Sequence, residues 1–128
     1  MKRLLLDTHV LLWWLNDDPR LGKKTCKLIS DPVNSIYVSA VSTWEIAIKQ
    51  ALGKVTAPDD LDRIVEQEGF EKLPISLYHG QQAGALPPLH RDPFDRMLVT
   101  QAQAEGLTIL TVDEVIPQYG IQTIDASN

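Results

Sequence analysis

Residues 3 to 7, RLLLD, form a short unbroken apolar run that ends in a carboxylate, the pattern of a parallel strand covered on both faces. Thr8 to Leu15 then reads as a helix, and Pro19 after Asp18 predicts the opening of a second helix that Asp31-Pro32 stops. SIYVSAV, residues 35 to 41, is β-branched and aromatic and predicts strand two. Ser42-Thr43-Trp44-Glu45 has the S-x-x-E form of a capping box, and Trp44, Ala47, Ile48 and Ala51 continue it as an apolar stripe to a stop at Gly53.

Pro58-Asp59-Asp60 predicts a further helix carrying Leu61, Ile64 and Val65, ended by Gly69, with a weaker strand over residues 72 to 75. A short helix over 78 to 86 precedes the proline-marked loop PPLHRDP. Asp92-Pro93 restarts a helix over 94 to 105, Gly106 closes it, and LTILTVD, residues 107 to 113, is the clearest strand. IQTID, residues 121 to 125, predicts the last strand. Strands alternating with helices predict a single α/β domain over residues 1 to 128, with a mostly parallel central sheet flanked by helices. In such sheets ligands sit outside the carboxyl ends of the strands, near the switch in strand order.

Composition narrows the class. At 128 residues, 44% hydrophobic and 23% charged, the chain is one globular domain and neither a disordered tail nor a membrane bundle. A single cysteine, Cys26, excludes an internal disulfide and a Cys-rich zinc site. Asp7 interrupts the apolar N-terminal run and no small-x-small cleavage site follows, so the reading is a cytoplasmic protein with no membrane partner. The net charge of −5 argues against phosphate binding, yet Arg20, Lys23, Lys24 and Lys27 fall at the spacing of one helix face, as solvated charge or as a basic patch.

The candidate chemistry lies in the carboxylates. Asp7 and Asp113 each end an apolar strand and so share the carboxyl edge, although a cap or turn role is open to each. Glu45 opens the helix after strand two and reaches the same edge, again with a capping role open to it. Asp92 is the N-cap before Pro93, with a supporting role at the acidic site also open to it. Asp95 shares a face with Leu98, Val99 and Ala102, an inward address that demands a counter-charge. Four carboxylates without paired Arg or Lys repel and raise one another's pKa, and a divalent cation removes that cost. Oxygen-only ligands favour Mg²⁺, with Mn²⁺ as substitute, and such an ion supports phosphodiester hydrolysis.

LLLDTHVLLW, SAVSTWEIAIK, HRDPFDRMLVTQA and LTILTVD, in that order and spacing, resemble a PIN domain, and specifically the VapC-type toxins of bacterial toxin–antitoxin pairs. The resemblance covers nearly the whole chain. It implies a metal-dependent endoribonuclease whose acids correspond to Asp7, Glu45, Asp95 and Asp113, with Thr8 as the hydroxyl that supports the metal site. His9 departs from the Ser or Asn often found at that position, and His90 belongs to the subfamily's motif with a structural or loop-orienting role. Arg91 and Arg96 are phosphate contacts or ordinary paired charges, while Trp13, Trp14 and Trp44 favour packing over base stacking. The family further implies a homodimer, an RNA substrate and a cognate antitoxin, which would suit a groove around Leu11, Leu12 and Trp14. Two other readings remain at this point: a PIN-like module that binds RNA or protein without cutting, and a phosphotransfer domain phosphorylated on Asp7, which lacks the second aspartate of a DxD motif.

Overall fold

A computed structural model describes all 128 residues. The elements run β1 (Arg3–Leu6), α1 (Thr8–Leu15), α2 (Lys23–Ser30), β2 (Ser35–Ser39), α3 (Ala40–Ala51), α4 (Leu61–Gln67), β3 (Glu71–Leu73), α5 (Leu77–Ala85), α6 (Pro93–Glu105), β4 (Thr108–Thr111), a 3₁₀ turn (Ile116–Tyr119) and β5 (Thr123–Asp125). The five strands form one sheet in the order β3-β2-β1-β4-β5, and every neighbouring pair is parallel. The strand order therefore reverses between β1 and β4, which makes the cleft at their carboxyl ends the expected ligand position.

Alternation along β1 divides the core. Leu4 and Leu6 join Val10, Leu11, Ile29, Leu61 and Val65 from α1, α2 and α4 on one face of the sheet. Leu5 joins Leu98, Val99 and Ala102 of α6, with Ile109 of β4, on the other. Strands buried on both faces account for the unbroken apolar runs in the sequence.

The structure departs from the sequence pattern in three places. Pro19 starts a turn and not a helix: α2 begins at Lys23 after Gly22, so Arg20 lies outside the helix and closes on Asp18 at 2.7 Å instead of joining a basic face. Strand β2 ends at Ser39, two residues before the predicted end, so helix α3 begins at Ala40 and Ser39 is its cap, accepting a hydrogen bond from the Val41 N–H. Ser42 is consequently a buried helical residue and no capping box includes Glu45. With the helix phase so set, its buried side carries Val41, Ser42, Glu45 and Ile46, while Trp44 is 59% and Ile48 37% exposed. The stripe expected to face the core faces solvent. A capping box does occur, at Ser76 and His79 on α5.

The C-terminal segment is seated on α2. Gly22 donates its N–H to the Ala126 carbonyl, and the Asn128 carbonyl accepts from both the N–H and Oγ1 of Thr25 at 3.0 and 3.1 Å. The Gly22 backbone, at φ −69° and ψ 156°, suits any residue, but a Cβ there would overlap the Asn128 backbone. Gly22→Ala is therefore expected to destabilise the fold by about 1–3 kcal/mol through overpacking, read as a lower urea midpoint. An unchanged midpoint would show that residues 126 to 128 do not pack there.

Candidate metal centre

Asp7 follows β1 directly and is the N-terminal cap residue of α1, though its side chain makes no capping bond. Its N–H continues the sheet ladder to the Leu110 carbonyl, which sets it level with Thr111 at the end of β4. The Thr111 hydroxyl donates to Asp7 Oδ2 at 2.6 Å, and Thr111 Oγ1 accepts from the Asp113 N–H at 3.0 Å. One buried threonine thus ties the two strand-end aspartates across the switch point. Asp113 does two jobs: Oδ1 caps the 3₁₀ turn by accepting from Val115 and Ile116, and Oδ2 is left to face the cleft group His90.

Helix α3 brings Glu45, only 2% exposed, to this region from its second turn. Thr8 donates its hydroxyl to Ser42 Oγ at 2.9 Å, a buried link that holds the start of α1 against α3 and hence Asp7 against Glu45. The expected absence of a paired base is corrected here. Lys49, four residues on, meets Glu45 Oε2 at 2.6 Å, whereas Glu45 Oε1 is buried with no hydrogen-bond partner.

Helix α6 contributes Asp95. Asp92 caps it, accepting from Phe94 and Asp95 N–H groups at 2.8 and 3.4 Å, with Pro93 in the first turn. Asp95 lies above the buried Leu98, Val99 and Ala102 and is itself largely enclosed. His90 Nε2 lies 3.0 Å from Asp95 Oδ2 and 3.1 Å from Asp113 Oδ2, so one imidazole spans two of the four candidate acids. These three residues could offer donor atoms to a single ion.

Electrostatics register the crowding. Burial, and after it the charges of Asp7, Asp92, Asp113 and Glu45, push Asp95 up to about 8. Burial likewise raises Asp7, despite the Thr111 hydrogen bond and the nearby His9, which favour its charged form. Burial opposes ionisation of Asp113 too, but donation from Ile116, His90 and Val115 outweighs it and holds this carboxyl below its ordinary range. The Lys49 ammonium is raised chiefly by its hydrogen bond to Glu45, with Asp92 and Asp95 adding to the field. Asp7, Glu45, Asp95 and Asp113 are therefore one coupled group. A partnerless buried carboxylate oxygen in an otherwise oxygen-rich set fits a hard divalent cation.

A family model described as the PIN domain matches residues 4–122. The chain belongs to the PIN-domain family. Among curated proteins no sequence matches it. Three solved structures share the fold of this PIN domain: VapBC2 from Rickettsia felis bound to a DNA fragment from its promoter (TM-score 0.70, 17% identity, 95% of this chain and 97% of that one), FitAcB from Neisseria gonorrhoeae (0.68, 18%, 96% and 97%), and DNA-bound VapBC from Salmonella typhimurium (0.68, 19%, 98% and 98%).

Several neighbours of the acids in this PIN domain were not singled out from the sequence. Thr111 was legible as a polar residue in an apolar strand, and Lys49 as the i+4 partner of Glu45. Ser42, a cap by its sequence pattern, is instead buried within α3. Arg96 spends its guanidinium on the carbonyls of Ala83, Leu86, Pro87 and His90, which makes it a staple for the proline loop and not a phosphate contact. Arg91 is exposed. Trp13 and Trp14 pack against the core as expected, Trp14 beside Phe70, whereas the exposed Trp44 meets Phe94 edge-on at 5.3 Å.

The crowding predicts a pH signature in the metal-free protein. Folded Asp95, at about 8, keeps its proton where the unfolded residue, at its ordinary 3.8, has lost it. The folded state then binds more protons, so stability falls as pH rises between those values and levels off above the upper one. Asp95→Asn should flatten that profile and raise the metal-free melting temperature at pH 7.5 by roughly 3 °C or more. A variant no more stable than wild type at that pH would mean that neither burial nor the neighbouring acids raise the Asp95 carboxyl.

Proposed function

We propose that this PIN domain is a metal-dependent endoribonuclease toxin, active in the cytoplasm as a homodimer and neutralised by a cognate antitoxin. The observation that carries the reading is the coupled set Asp7, Glu45, Asp95 and Asp113 at the switch point, with Glu45 Oε1 buried and partnerless. The wider kinship supports it: solved structures of the same fold include VapBC complexes. No helix is long and apolar enough to cross a membrane.

Asp7, Asp95, Asp113 and Glu45 would hold Mg²⁺ or Mn²⁺, directly or through water. When bound, the ion supplies Lewis-acid polarisation of a phosphoryl oxygen and a more acidic water. The chain does the positioning. Thr111 fixes Asp7, the 3₁₀ turn fixes Asp113, and the Thr8–Ser42 bond fixes the helix that bears Glu45. The exposed Arg91, next to His90 in the chain, would offer positive charge to backbone phosphate, and a single-stranded or looped RNA presents its phosphates most freely to such a cleft. The antitoxin does not dock on Leu11 and Leu12, because both lie in the core at 0% and 7% exposure. The half-buried Trp13 and Trp14 are the parts of that region open to a partner.

The test uses complex total RNA, since a selective nuclease ignores most single substrates. Wild-type protein freed of antitoxin should generate a discrete set of new RNA ends with Mn²⁺ or Mg²⁺ and none with EDTA, mapped by end sequencing. Asp7→Asn should lower their yield at least about 100-fold, as expected for loss of a group that places the ion. Equal cleavage by the Asn variant would remove the acidic site from the chemistry. RNA retention without cleavage would favour the non-cutting module instead.

A further inference from the structure

The motif HRDPFDR has a role for nearly every residue except its histidine. Asp92 caps α6, Pro93 fills the first turn, Phe94 meets Trp44, Asp95 joins the acids and Arg96 staples the loop. His90 is placed with unusual care. Its N–H donates to the Tyr119 hydroxyl at 2.8 Å, that hydroxyl donates to the Pro87 carbonyl, and the His90 carbonyl accepts from Arg96. The ring is held from behind, because the Asp92 N–H donates to His90 Nδ1 at 3.2 Å.

That last bond decides the tautomer. A backbone N–H can only donate, so Nδ1 presents its lone pair and the ring proton resides on Nε2. Nε2 then donates to Asp113 Oδ2 at 3.1 Å, and Asp95 Oδ2 lies 3.0 Å from the same nitrogen outside that hydrogen bond. To act as a metal ligand, Nε2 would need its own lone pair free. The proton would move to Nδ1 and confront the Asp92 N–H, breaking the turn that leads into α6. Asp113 Oδ1 already accepts from two backbone N–H groups, so the His90 ring is the donor that holds its other oxygen, Oδ2.

We propose that His90 is a positioning residue, an Nε2–H donor that aims Oδ2 of Asp113 beside the Asp95 carboxyl, and that it is not a ligand of the ion. This rests on the metal reading above. It further makes the donor set all oxygen, so that the centre prefers Mg²⁺ and Mn²⁺ to the nitrogen-seeking later metals.

The test uses the full-length ¹⁵N-labelled protein. Long-range ¹H–¹⁵N spectra separate the two neutral tautomers of its three histidines, and His90→Gln identifies the His90 signals by their disappearance. The Nε2–H form is expected both metal-free and with Mg²⁺. The Nδ1–H form in either state would overturn the donor role. In parallel, Mn²⁺ affinity is measured by calorimetry, and pulsed EPR reports any nitrogen bound to Mn²⁺. Gln keeps an N–H donor near the Nε2 position, so His90→Gln should bind Mn²⁺ like wild type, while His90→Leu should lose about 10- to 100-fold. Wild-type affinity in the Leu variant, or a directly coordinated histidine nitrogen in wild type, would also overturn it. Should wild type bind no Mn²⁺ at all, the metal reading fails, and the tautomer still decides whether His90 is a donor.

Discussion

Like charge gathered in a half-buried place is the constraint around which this protein is arranged. Asp7, Glu45, Asp95 and Asp113 come from four separate parts of the chain, and each would be easier to solvate elsewhere. The fold compensates only in part. Lys49 takes one oxygen of Glu45, Thr111 donates to Asp7, and His90 spans Asp95 and Asp113, yet Asp95 is still raised to about 8 and Glu45 Oε1 has no partner. A group of carboxylates so incompletely neutralised is one whose remaining charge a divalent cation would offset, and the proposed metal centre rests on that imbalance.

The sheet supplies the rigidity that the arrangement requires. Strands β1 and β4 are central neighbours, their leucines and isoleucine fully buried, and the two aspartates stand where they end. Helices α3 and α6 pack on one another and bring the remaining two acids from their N-terminal halves. Small polar residues make the final adjustments: the Thr8–Ser42 bond locks α1 to α3, and Ser39 both caps α3 and donates to Gln101 of α6 at 2.5 Å. Buried polar pairs of this kind cost stability when broken singly, so they help to hold the acids in register.

Much of this was legible in the residues. Short apolar runs ending in Asp7 and near Asp113 foretold parallel strands meeting at one edge, and the Asp92-Pro93 start and Gly106 stop of α6 were read correctly, Gly106 closing the helix at φ 67°. What misled was degeneracy of local signals. Two serines in SAVS can each cap a helix, and only the termination of β2 at Ser39 selects the first, turning Trp44 and Ile48 outward. Pro19 is compatible with a helix start, but the Asp18–Arg20 pair and the Leu21–Asp18 bond close a turn there instead. The roles of His90 and Arg96 depend on contacts across loops. No periodicity encodes the three-residue turn that orients an imidazole or the carbonyl ring that occupies a guanidinium.

The central claim is that these carboxylates are a divalent-cation centre, and anomalous diffraction from crystals grown or soaked in MnCl₂ tests it most directly. A manganese peak coordinated by carboxylate oxygens of Asp7 and Asp113, with Asp95 and Glu45 reaching it directly or through water, is the predicted result. A map with no peak at the ends of β1 and β4, or with manganese only on surface acids such as Asp62 and Glu66, would contradict the account.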